Sequence, residues 1–88
     1  MESQALKVFR RKMVNPLHWK KANRIILRYS EADLQNLERT KHLVSALAAE
    51  LDVTLTVAEK TQAAKWLVAQ RMNPQSYKDR FSVWKKVK

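Results

Sequence analysis

Lys20, Arg24 and Arg28 recur every four residues, a spacing that lines side chains along one face of a helix. Lys21 and Asn23 flank the row. From residue 3 to residue 30 there is no acid, so no carboxylate nearby in sequence neutralises it. Like charges at this spacing repel by a few tenths of a kcal/mol per pair, so helix stability does not account for them. Contact with phosphates relieves that repulsion and releases condensed counterions, which is the chemistry expected of the row. The competing reading is a solvated face, with long stems over apolar surface and charged heads in water.

Two further basic patches extend the footprint. Arg10-Arg11-Lys12 lies near the N-terminus and reads as a mobile arm if the first helix frays. Lys78, Arg80, Lys85, Lys86 and Lys88 cluster at the other end, where cations in a last helical turn also complement the helix dipole. Trp84 stands beside Lys85 and Lys86 but shares a stripe with Tyr77 and Phe81, so it is assigned to the core. Trp66 falls outside the apolar stripe of its own segment. It is the candidate exposed anchor for a protein partner.

Nothing converges toward catalysis. His18 and His42 are the only histidines, there is no cysteine, and no metal-ligand spacing occurs. No strained nucleophile turn is marked out, so neither an enzyme, a cofactor, a metal nor a small-molecule substrate is expected.

The elements that position these side chains are announced by caps. Asn15-Pro16 and Asn73-Pro74 each place a cap residue before a proline at the first helical position. Ser30-Glu31-Ala32-Asp33 puts a hydroxyl and acids in a first turn, and Thr56 with Glu59 forms a capping-box pattern. Apolar spacing agrees, with Leu6, Phe9 and Met13 in the first segment and Leu34 through Leu51 in the longest stripe. Val57, Ala64, Leu67 and Val68 form the fourth stripe, and Tyr77, Phe81, Trp84 and Val87 the fifth. This predicts helices over 4–13, 16–29, 31–51, 57–71 and 75–87, with 52–55 as an extended linker. The second and third are also readable as one bent helix, because Ser30 is a weak break. The Asn-Pro segments echo each other, each with an aromatic residue and then Lys one turn on, at Trp19-Lys20 and Tyr77-Lys78.

The expected fold class is therefore all-α: a compact bundle of four to five short helices forming a single domain over 1–88. The chain has no glycine, which disfavours hairpin-rich folds and phosphate-cradling glycine loops. Its 88 residues suffice for a small core burying roughly 60–65% of the unfolded surface. No apolar run is long enough to span a membrane and no signal-peptide pattern opens the chain, so a cytoplasmic location is expected.

Charge sets the function class. Eighteen Lys and Arg oppose eight Asp and Glu, a net +10. The excess is segregated. Residues 1–30 carry eight bases against Glu2, residues 31–59 carry six acids against Arg39 and Lys41, and residues 60–88 carry eight bases against Asp79. Such a surface attracts polyanions. Ala48 to Val57 resembles the first helix and turn of a helix-turn-helix motif, with Ala48 in the small inward position. Asp52, however, stands where glycine is usual, the turn reads about one residue short of the usual spacing, and the helix that follows offers only Lys60, Thr61, Gln62 and Lys65. An ordinary helical hairpin is the simpler reading.

The leading expectation is a small basic accessory or regulatory protein that binds nucleic acid, DNA or RNA, mainly through the phosphate backbone. Lys20, Lys21, Arg24 and Arg28 would make the contacts, and Arg10, Arg11, Lys85 and Lys86 would widen the footprint. The alternative is a regulator or adaptor docking on an acidic protein surface through Trp66. Binding to an anionic membrane is the weakest of the three, because the middle of the chain is acidic.

Overall fold

The computed structural model describes residues 4–87, and Glu2 and Lys88, which were counted in the charge reading, lie outside them. Five α-helices form: α1 Gln4–Met13, α2 Pro16–Ile26, α3 Leu37–Glu50, α4 Val57–Gln70 and α5 Tyr77–Lys86. Among the described residues there is no strand. The chain is an all-α bundle, as its caps and stripes predict.

From α2 onward, each helix starts where a side chain takes an orphan N–H. Asn15 Oδ1 accepts from the Leu17 N–H at 2.9 Å, and Pro16 follows at the first helical position. Thr56 and Glu59 close the capping box reciprocally, at 3.1 and 2.9 Å. Ser30 and Asp33 do the same at 3.1 and 3.0 Å, but the helix they open lasts one 3-10 turn, Asp33–Gln35. Asn36 then turns extended and caps α3, its Oδ1 accepting from the Arg39 N–H at 3.1 Å. The predicted 31–51 helix is thus a 3-10 turn followed by α3. It is not continuous with α2.

The other differences have similar causes. α2 stops at Ile26 rather than residue 29, and its last turn tightens as Arg28 and Tyr29 donate to the carbonyls of Ile25 and Ile26. The Gln75 side-chain amide donates to the Leu27 and Tyr29 carbonyls at 3.1 and 3.0 Å, capping that end from across the molecule. α5 opens at Ser76, whose Oγ accepts from the Asp79 N–H, and not at Asn73-Pro74. There Asn73 Oδ1 accepts from the Gln75 N–H at 3.0 Å, while Pro74 is buried in the preceding turn.

With no glycine available, two other residues take left-handed backbone at helix ends. Asp52 has φ 57° after α3, and Arg71 has φ 50° after α4. At Asp52 the Val53 N–H reaches back to the Ala48 carbonyl at 2.8 Å, a Schellman closure that Asp tolerates better than most residues. The stretch 53–55 then runs without regular secondary structure, and Val53 and Leu55, partly buried, pack onto the core.

α3 and α4 form the central pair, α1 packs on α2 and α4, and α2 packs on α3. Phe9, Leu6, Ile26, Leu43, Leu47 and Leu67 are fully buried between them. Thr40 is buried with them, its hydroxyl donating to the Asn36 carbonyl at 2.8 Å. α5 reaches α1 and α2 through large side chains. Trp84 meets Phe9 edge to face at 6.4 Å, and Phe81 meets Trp19 at 6.3 Å. Trp84 belongs to the core as expected, although with Arg80 and Val83 rather than with Tyr77 and Phe81.

Four sequence expectations need correction. Val57 is 81% exposed, because it opens α4 before the helix reaches the core. Tyr77 and Phe81 are exposed too, since Arg80, Val83, Trp84 and Val87 form the buried face of α5 instead. Trp66 is half-buried and packed against the core, so it does not stand out as an anchor. α1 is not a loose arm, because Ala5, Leu6, Phe9 and Met13 are all buried. No helix among the described residues is long and apolar enough to cross a membrane.

Candidate nucleic-acid interface

Packing decides which face of α2 meets solvent. Ala22, Ile25 and Ile26 turn to the core, while Trp19 and Asn23 turn to α5. Lys20, Lys21 and Arg24 are left on the exposed remainder. Arg28 is exposed as well, but it sits in the closing turn beyond the end of α2. Arg10, Arg11, Lys85 and Lys86 are all exposed.

The acidic middle segment does not cover this row. The ion pairs among the described residues are Arg39–Asp33 at 3.5 Å and Lys41–Glu38 at 3.4 Å, both internal to that segment. The Ser30 backbone N–H holds the Asp33 carboxyl below the usual carboxylate range, helped by the Ser30 hydroxyl and by Arg39 and opposed by slight burial. Its charge is thereby committed locally.

The two basic ends of the chain meet. Arg10 Nη1 donates to the Val87 carbonyl and joins α1 to the end of α5. Part of the Arg10 guanidinium therefore serves the fold, as a cation against the α5 C-terminus. Lys85 Nζ lies 4.6 Å from the centre of the Phe81 ring. Lys7, Arg10 and Arg11 border one shallow depression with Val14.

Two residues from the sequence reading leave the interface. Arg80, grouped there with the C-terminal cations, is only 7% exposed. Its Nε donates to Asn23 Oδ1 and its Nη1 to the Pro74 carbonyl, both at 2.7 Å. Asn23 is spent in the same bond, and its Nδ2 donates to the Trp19 carbonyl at 3.0 Å, so it is no candidate for reading bases. His18 is half-buried with Nδ1 3.0 Å from the Lys12 carbonyl, and among the described residues no three of His, Cys, Asp and Glu gather to hold a metal.

The sequence reading missed a groove of about 300 Å³ between the α1–α2 corner and α5. Met13 and Trp84 form its buried lining. Trp19 and Phe81, in contact with each other, and Val14 and Pro16 complete the apolar lining, and Arg10 and Lys85 supply its charge. The Trp84 indole N–H is buried without a hydrogen-bond partner among the described residues. The one sequence signal for the groove was the second stripe on α5, Arg80-Val83-Trp84-Val87, which competes with Tyr77-Phe81-Trp84 and turns Phe81 outward.

The α3–α4 connection spans residues 51–56, so it is longer than the turn of a helix-turn-helix and not short of it as the sequence suggests, because α3 ends at Glu50 and α4 waits for the Thr56 cap; Asp52 does adopt the left-handed backbone that glycine takes there. Comparison with protein-family models, curated proteins and solved structures finds no match to this chain.

Proposed function

We propose that this chain is a small, non-enzymatic nucleic-acid-binding protein of accessory or regulatory type, acting in the cytoplasm. Phosphates of DNA or RNA lie along Lys20, Lys21, Arg24 and Arg28. Arg11, Lys86 and the free part of Arg10 extend the contact, with Lys85 at its margin. The observation that supports this reading is an exposed basic row with no carboxylate in ion-pair range among the described residues. Unpaired cations of one sign on one face gain most from displacing counterions on a polyanion. Sequence discrimination is modest, because Arg24 and Arg28 are engaged on phosphates and the neighbouring Asn23 and Arg80 are used by the fold.

The experiment is a titration of the pure protein against labelled duplex DNA, single-stranded DNA and RNA at several salt concentrations. Affinity falls steeply with salt. Changing Lys20, Arg24 and Arg28 together to Gln lowers affinity and flattens the slope by about 2–3, at roughly 0.7–0.9 per lost phosphate contact. Absence of binding to all three at ~50 mM salt ends the proposal.

A further inference from the structure

Phosphate binding leaves the groove between the α1–α2 corner and α5 unexplained. Val14 is 80% exposed, Leu17 on the same corner 68%, and Phe81 45%. Scattered exposed apolar residues are ordinary, but apolar side chains gathered around one concavity mark an interaction site. The concavity is apolar inside and cationic at its margin, where Arg10 and Lys85 stand. No acid lies within residues 4–30. The one acid of α5, Asp79, is at its far end, with its carboxylate accepting from the Asn73 N–H. The occupant must therefore be apolar and anionic at once.

Three classes of occupant fit less well. A stacked nucleobase needs an open ring face, but Lys85 already covers one face of Phe81 and Arg80 lies 5.6 Å from the centre of Tyr77. A second copy of this chain brings a net charge of +10 to a basic margin. A membrane surface favours a protruding amphipathic face, whereas Met13 and Trp84 line the groove from below, buried. An acidic peptide with a large apolar side chain matches both the lining and the charge.

We infer that this groove docks an acidic protein segment, which inserts a Leu- or Phe-sized side chain against Met13, Phe81 and Trp84 while its carboxylates meet Arg10 and Lys85. The groove shares Arg10 and Lys85 with the edge of the phosphate footprint, but Lys20, Arg24 and Arg28 take no part in it, and its apolar lining is its own. It also moves the protein-binding anchor from Trp66, which is tucked against the core, to the opening between α1, α2 and α5.

The test uses the full chain and two fluorescein-labelled peptides of equal negative charge, one with Leu and Phe at helical spacing and one with Ser in their place. The apolar peptide binds about tenfold more tightly by anisotropy. Val14→Ser, at an exposed position where the fold has little at stake, removes most of that gap, and Phe81→Ser removes it further. Arg10→Gln with Lys85→Gln weakens both peptides and preserves their ratio. Lys20→Gln with Arg24→Gln leaves the gap intact, which separates the groove from the phosphate row. Equal binding of the two peptides overturns the inference. So does an oligonucleotide, a phosphatidylglycerol vesicle or self-association of the chain that is the Val14-sensitive interaction in place of the peptide.

Discussion

Trp19 and Tyr77 meet edge to face, with ring centroids 6.4 Å apart and planes at 79°. Each lies four residues beyond the Asn of an Asn-Pro pair, so the echo between the two segments becomes a physical contact. Both Asn side chains accept from the N–H two residues on. Pro16 opens α2 directly, while Pro74 lies in a turn ahead of the Ser76 cap. The contact fastens the start of α5 to the first turn of α2, beside the groove.

A double-mutant cycle measures that fastening. Trp19→Ala and Tyr77→Ala, singly and together, are compared by urea unfolding. The coupling energy expected is about 0.5–1 kcal/mol, at the lower end for aromatic pairs because Tyr77 is 59% exposed. A coupling indistinguishable from zero means that α5 is held elsewhere.

Arg80 is the stronger attachment. Arg80→Ala leaves Asn23 Oδ1 and the Pro74 carbonyl without their donor and opens space under Tyr77. The expected loss is about 2–4 kcal/mol, read from the urea midpoint. Arg80→Lys recovers only part of it, because an ammonium on a flexible stem does not reproduce the guanidinium fork. Full recovery by Lys would mean that charge, and not geometry, is what the site requires.

Charge placement is separable from charge amount. Lys60, Lys65 and Arg71, changed together to Gln, remove the same formal charge as the Lys20, Arg24 and Arg28 variant. The α2 variant is expected to lose about tenfold or more in nucleic-acid affinity at moderate salt, and the control clearly less. Matching losses in a filter-binding titration would show that net charge alone attracts the polyanion and that α2 is not the contact face.

Asp33 makes stability fall in acid. Its folded-state pKa lies below its ordinary 3.8. Its contribution is present above 3.8 and is lost as pH falls through the lower folded value. Asp33→Asn should flatten the decline in stability measured from about pH 5 downward, and Ser30→Ala, which keeps the backbone N–H that is the main cause, should flatten it less. Variants that keep the wild-type acid slope would show that the Ser30–Asp33 closure carries no linkage.

The unequal legibility of the helix ends has a simple origin. Thr56 with Glu59 and Asn15 with Pro16 could be read from adjacent residues, because a cap and its N–H are two or three positions apart. Ser30 was read as a hydroxyl cap, and its Oγ does accept from the Asp33 N–H, yet the helix it opens was overestimated, because Asn36 offers a second cap within one turn. The end of α2 had no local sign at all. It depends on Gln75, 48 residues from the Leu27 carbonyl it caps.

The same contrast divides the candidate site. The starts of α2 and α4, the all-α class and the segregation of charge into basic, acidic and basic stretches were determined by the sequence alone, since each rests on neighbours along the chain. Only the tertiary structure decided that Arg80 withdraws from the surface to Asn23, 57 residues away, and that Arg10 spans 77 residues to reach Val87. It likewise decided that Trp66 tucks against the core while Phe81 turns out beside Lys85. A stripe gives the angle of a side chain around its own helix, but its exposure depends on which helix comes to lie against that angle.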